Sequence, residues 1–156
     1  MSSTIPEAYR KLRASLPFDR VSIGYGSIEL VPGRELLSAQ HGYGDADGGW
    51  QSEWLVVGHE GLCGDPLFID TDDDDFPVYT AEHGTGAWQP RLIAFSFRHF
   101  GQILERLSEL SRGRSNPVEL ERRPISASEH VAFMEFIRRD SPDVDFDFWE
   151  SLLELR

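Results

Sequence analysis

One cysteine and one lysine stand among 156 residues. Cys63 by itself can form neither an internal disulfide nor a cysteine-rich zinc site, so a reducing, cytoplasmic setting is the expectation. Lys11 lies far from any Gly-rich phosphate-binding pattern, and Gly24-Tyr-Gly-Ser-Ile-Glu29 lacks the third glycine of a dinucleotide loop. No apolar run approaches the roughly 18 residues of a membrane span. The opening Met1-Ser-Ser-Thr-Ile-Pro-Glu7 has neither the basic nor the apolar region of a secretory leader. The most consequential absence is local: residues 35–90 hold no Lys and no Arg.

That same stretch carries twelve carboxylates, which account for the whole net charge of −12, while the rest of the chain balances fifteen acids against fifteen bases. A charge of this size repels the phosphate backbone of nucleic acid and anionic lipid, both of which are held by Lys and Arg. A basic protein is the partner such a field favours, because complementary charge accelerates association. With 40% hydrophobic residues the chain is well clear of disordered compositions, and its length fits a single domain spanning 1–156.

Thr4-Ile-Pro-Glu7 reads as a capping box opening a short amphipathic helix, with Ile5, Ala8, Tyr9, Leu12 and Leu16 on one face and Pro17 as its stop. Strands follow at 21–25 and 27–31 around the Gly24-Tyr-Gly26 bend, then a brief helix at 35–40. Residues 41–50, rich in Gly and Asp, read as a mobile surface loop. Strands at 54–58, 67–70 and 78–80 are spaced too closely for helical crossovers and imply antiparallel hairpins. Ser96 is a natural N-cap for a helix with Phe97, Phe100, Leu104, Leu107 and Leu110 on one stripe, and Phe95 is placed to staple onto Phe100. Residues 111–124 read as a connection with a short strand at 118–120. Ser126-Ala-Ser-Glu129 is a second capping box for a helix that gathers Val131, Met134 and Ile137, and Ser141-Pro142-Asp143 opens a last helix with Phe146, Trp149, Leu152 and Leu153 inward.

No catalytic constellation emerges. Asp70, Asp72 and Asp74 occupy alternate positions of a calcium loop, but Asp75 stands where Gly makes the turn and Ala81 where Glu chelates. His41, His59, Cys63 and His83 match no zinc spacing, so no metal or cofactor is expected. Ser96 lacks the flanking glycines of a nucleophile elbow. Cys63, between Leu62 and Gly64, reads as a small buried apolar residue. Of the tryptophans in the acidic stretch, Trp54 is expected inside and Trp50 or Trp88 near the rim.

In order along the chain stand Pro6 and Tyr9, then Trp54-Leu-Val-Val-Gly58, then Gly61-Leu-Cys-Gly64-Asp65-Pro-Leu-Phe-Ile-Asp70, then Pro77-Val78-Tyr79, then Ile93-Ala-Phe-Ser96-Phe97-Arg-His-Phe100. This series resembles the SUKH superfamily over residues 5–107, departing from it at Leu16-Pro17, where Asn-Gly is usual, and at Pro66. The resemblance implies an α+β single domain, a largely antiparallel sheet flanked by helices, and no enzymatic chemistry; residues 111–156, which it does not cover, read from their own pattern as a C-terminal helical extension. It implies a protein-binding role: an immunity protein that neutralises a bacterial toxin, often a nuclease, or alternatively a regulatory module binding a host cell-wall or signalling protein. On this reading Asp45, Asp47, Trp50, Asp72, Asp73, Asp74, Asp75 and Trp88 are the partner-binding candidates. Gly58, Gly61, Gly64 and Asp65 define a turn, the glycines by positive φ and the aspartate by bonding turn amides.

Overall fold

The computed structural model describes residues 4–44 and 48–154. Its centre is a six-stranded sheet of β1 (Arg20–Ile23), β2 (Gly26–Leu30), β3 (Trp54–Glu60), β4 (Pro66–Asp70), β5 (Val78–Thr80) and β6 (Arg91–Ala94). The strands lie side by side in chain order, and every neighbouring pair is antiparallel. Helices are α1 (Glu7–Ala14), α2 (Leu36–Ala39), α3 (Phe97–Leu110), α4 (Pro117–Arg122), α5 (Ala127–Asp140) and α6 (Phe146–Leu153). The fold is therefore α+β.

Alternation along the strands gives the sheet two buried faces. Ile23, Ile28, Leu55, Val57, Leu67, Ile69 and Val78 point to one side, where α1, α3, α5 and α6 supply Tyr9, Phe100, Leu104, Ile137 and Trp149 to a common core. Residues C-terminal to 111 thus share the core of the preceding chain. Val56 and Phe68 point the other way, into a smaller cluster with Trp50 and Ala81. Among the described residues, that second face is covered by the segments before β3 and after β5 and not by a helix.

Two capping groups foreseen in the sequence form. Ser96 accepts from His99 N at 3.0 Å, and Ser126 and Glu129 close a reciprocal capping box on α5. The first helix starts later than the sequence suggests, at Glu7, with Pro6 as its N-cap. Its anchor is Arg13, a buried guanidinium that donates to Val31 O at 3.1 Å and pairs with Asp19.

Four further expectations are corrected. The strand at 118–120 is helical: Asn116 accepts from Glu119 N, and Pro117 sits in the first turn, where a missing N–H costs nothing. Phe95 does not staple onto Phe100. It is an exposed side chain, while Phe100 packs on Phe97 and Trp149. Val131 is 57% exposed, and Phe133 takes its place on the inward face of α5. Finally, Ser141 ends α5 rather than opening α6, whose N-cap is Asp145.

Candidate partner-binding surface

The face of the sheet turned away from the main core carries an aromatic layer with Trp50 at its hub. Its ring lies 4.8 Å from Tyr43, 4.8 Å from Phe68, 5.1 Å from Trp54 and 5.3 Å from Trp88, centroid to centroid. At 2% exposure Trp50 is core, whereas Trp54 keeps part of its ring in solvent. This reverses the expected placement of the two and withdraws Trp50 as a surface anchor; Trp88 stays half-buried near the rim. The cause is tertiary. Tyr43 and Trp50 lie against Val56 of β3 and Phe68 of β4 instead of standing away from the sheet.

Gln40 explains how that segment is held. The pairing of β3 with β2 ends at Gly58, and the register of β3 against β4 shifts between Val56 and Gly58, leaving both backbone polar groups of Val56 to be satisfied. The buried Gln40 amide meets both: Nε2 donates to Val56 O at 2.8 Å, and Oε1 accepts from Val56 N at 2.8 Å. Beyond it, Tyr43 meets His59 Nε2 at 3.2 Å, and Trp88 N donates to Gly48 O at 2.8 Å, joining the two covering segments. Gly48 is required there, since φ is +61° and a Cβ would lie 3.1 Å from the Trp88 ring. Burial lowers the His59 pKa against the opposing pull of Glu29, and burial together with Asp65 raises that of Tyr43.

The four aspartates form the β4–β5 connection, at the end of the sheet where Trp54 pairs with Asp70. Asp72, Asp73, Asp74 and Asp75 are all exposed, and among the described residues no Lys, Arg or His pairs with them. The turn is held by its own carboxylates: Asp70 accepts from Asp72 N and Asp73 from Asp75 N, each at 2.9 Å. The connection borders the aromatic layer. Tyr79, half-buried and stacked on Phe68 at 5.9 Å, has its pKa raised by burial and then by Asp70 and Asp73. Half-exposed Trp54 and Tyr79 therefore stand beside a row of carboxylates with no countercharge. The sequence shows the row and places both aromatics in the acidic stretch, but it gives no sign that these two, rather than Trp50, border the row. Asp45 and Asp47 lie outside the described residues.

The turn residues divide. Gly64 has the positive φ expected of it, at +80°. Gly58 lies inside β3, where a Cβ would stand 2.4 Å from Glu29 O, and Gly61 is glycine because a Cβ would collide with Ser27 Oγ. Asp65 does not bond the turn amides. Its carboxylate holds His83, meeting Nδ1 at 2.7 Å and accepting from His83 N at 3.2 Å, and Glu60 takes the amides of Leu62 and Cys63. Cys63 is exposed, contrary to the buried position expected.

One arrangement has the composition of a hydrolytic triad and not its geometry. His99 Nδ1 meets Ser141 Oγ at 2.6 Å, and Asp140 stands 4.0 Å from Nε2. Ser141 is fully buried, and its oxygen also accepts from Phe95 N at 3.0 Å. A nucleophile without exposed surface meets no substrate, so the trio pins the start of α3 to the end of α5. Among the described residues no group of side chains suits a metal ion, and no helix is long and apolar enough to cross a membrane. Comparison with protein-family models, curated proteins and solved structures finds no match to the chain.

Proposed function

We propose that this chain is a non-enzymatic, SUKH-like protein-binding domain that captures a basic protein, acting as an immunity protein whose partner is a bacterial toxin domain such as a nuclease. The observation that carries the reading is the unpaired row Asp72–Asp75 beside half-exposed Trp54 and Tyr79. Carboxylates without countercharge attract Lys and Arg over a Debye length of about 10 Å. Aromatic faces next to them accept the same cations at contact, and Trp is the strongest of these acceptors. A nuclease needs cationic surface to hold nucleic acid, and a field of this sign competes for it.

Immobilised protein in lysate of the source cells, at low and at high salt, tests this. The expected result is a basic protein retained in near-equal amount at low salt, released at high salt, toxic when expressed alone and rescued by this chain. Changing Asp72 to Asp75 together to Asn should weaken capture and flatten its salt dependence. Retention unchanged by that replacement overturns the surface, and a non-toxic host protein in the eluate transfers the reading to a regulatory module.

A further inference from the structure

A second acidic feature lies at the opposite end of the same strands. The β3–β4 turn, the segment after β5 and the first turns of α6 enclose a groove of about 280 Å³. That is just under the roughly 300–1,000 Å³ of pockets that hold drug-sized ligands, and it suits one long side chain. Four carboxylates line it, from Glu60, Asp65, Glu82 and Asp147, against a single guanidinium, Arg91. Arg91 is already matched by Asp145, at 2.8 Å. Glu60 and Asp65 are engaged by the turn amides and by His83, but among the described residues no hydrogen bond or ion pair engages the carboxylates of Glu82 or Asp147. The walls are apolar as well: Leu62 is 47% exposed, and Phe148 contributes to the lining.

We infer that this groove receives an arginine side chain of the basic partner. The inference rests on the proposal that the partner is basic. Apolar walls with carboxylates around them favour guanidinium over ammonium, because the planar, weakly hydrated group lies flat on hydrocarbon while its edge donates. The groove opens at the Asp65 end of β4 and the four aspartates follow its Asp70 end. At about 3.4 Å per residue the two acidic features are roughly 17 Å apart. A partner reading both presents two cationic points at that separation, so spacing adds selectivity that a single acidic patch lacks.

Amide chemical-shift titration with acetyl-Gly-Arg-Gly-amide, run against acetyl-Gly-Lys-Gly-amide at matched ionic strength, tests the groove without the partner. Saturable shifts are expected at Leu62, Cys63, Glu82 and Phe148 with the arginine peptide, several-fold weaker with the lysine peptide. Changing Glu82→Gln with Asp147→Asn should weaken the arginine response about tenfold, the size expected for two screened ion pairs, while the spectrum stays dispersed. The Asp72–Asp75 to Asn protein should respond as the parent does. Shifts confined to Asp72–Asp75, equal responses to both peptides, or none at the groove overturn the inference. Each of those results leaves capture of a basic protein through the aspartate row to be judged by the lysate experiment.

Discussion

Replacing Gly58 with alanine presses on the fold at its narrowest point. The residue sits in β3 between Leu30 of β2 and Leu67 of β4, at the bulge, and its φ lies outside the left-handed region, so the effect is one of space. The added Cβ would stand 2.4 Å from Glu29 O and 3.4 Å from Leu30 Cα, and the nearer obstacle is backbone, which cannot rotate away. Restoring an ordinary contact requires β2 to withdraw by about 1 Å, carrying Ile28 and Leu30 with it. Overpacking of this kind costs about 1–3 kcal/mol, and an unyielding strand places Gly58→Ala at the upper end, near 3 kcal/mol. For a domain of this size that corresponds to a loss of about 6–12 °C in Tm. Thermal and urea unfolding followed by circular dichroism would measure it. Gly33→Ala is the control: nothing lies within 4 Å of its built Cβ and its φ is not positive, so it should gain about 0.4–1 kcal/mol through the unfolded chain. A Gly58→Ala protein within about 0.5 kcal/mol of the parent would refute the steric argument.

The aromatic layer makes an ordering prediction: Trp50→Ala should lose about 3–5 kcal/mol and Trp54→Ala clearly less, because only the first ring is fully enclosed. Urea midpoints in the reverse order would undo the description of that face. His99 makes a pH prediction. Burial lowers its pKa, more than Asp140 and the Phe136 carbonyl raise it, so the unfolded chain binds the extra proton as pH falls through the ordinary histidine range. Stability is then greatest above that range and declines below it. His99→Asn, though weaker at neutral pH, should lose less between pH 7 and 5, and an equal decline in both proteins would remove His99 as a cause.

Much of the architecture was legible because it rests on local signals. Ser126 with Glu129 and Ser96 before an apolar stripe announce helices through groups a few residues apart, and the strands of the first two hairpins announce themselves by β-branched runs between glycines. Arg91–Ala94 escaped notice as a strand because four residues carry too little periodicity and run directly into Phe95-Ser-Phe97. Pro117 carried the right signal, an Asn N-cap followed by Pro, but Val118 and Leu120 suggested a strand more loudly. The acidic row was plain in the sequence. Its aromatic neighbours were not, since whether Trp50 or Trp54 lies inward depends on where the Gln40 amide docks, sixteen residues away from Val56.

The strand order has a consequence for how the chain reaches this structure. Each strand pairs with the strand before it, so the sheet can zip together hairpin by hairpin as the polypeptide emerges, with a short loop to close at every step except the longer connection of 31–53 between β2 and β3. The helical side is different. Trp149 Nε1 bonds Ile93 O across 56 residues, and Ser141 bonds the Phe95 amide across 46, so that side seals only when the last helices arrive. Until then a half-built chain carries a bare greasy surface backed by a finished sheet, the kind of species that clumps or recruits a chaperone. Synthesis that stalls after β6 would leave the molecule in that state, with the acidic row already formed and the interior still open.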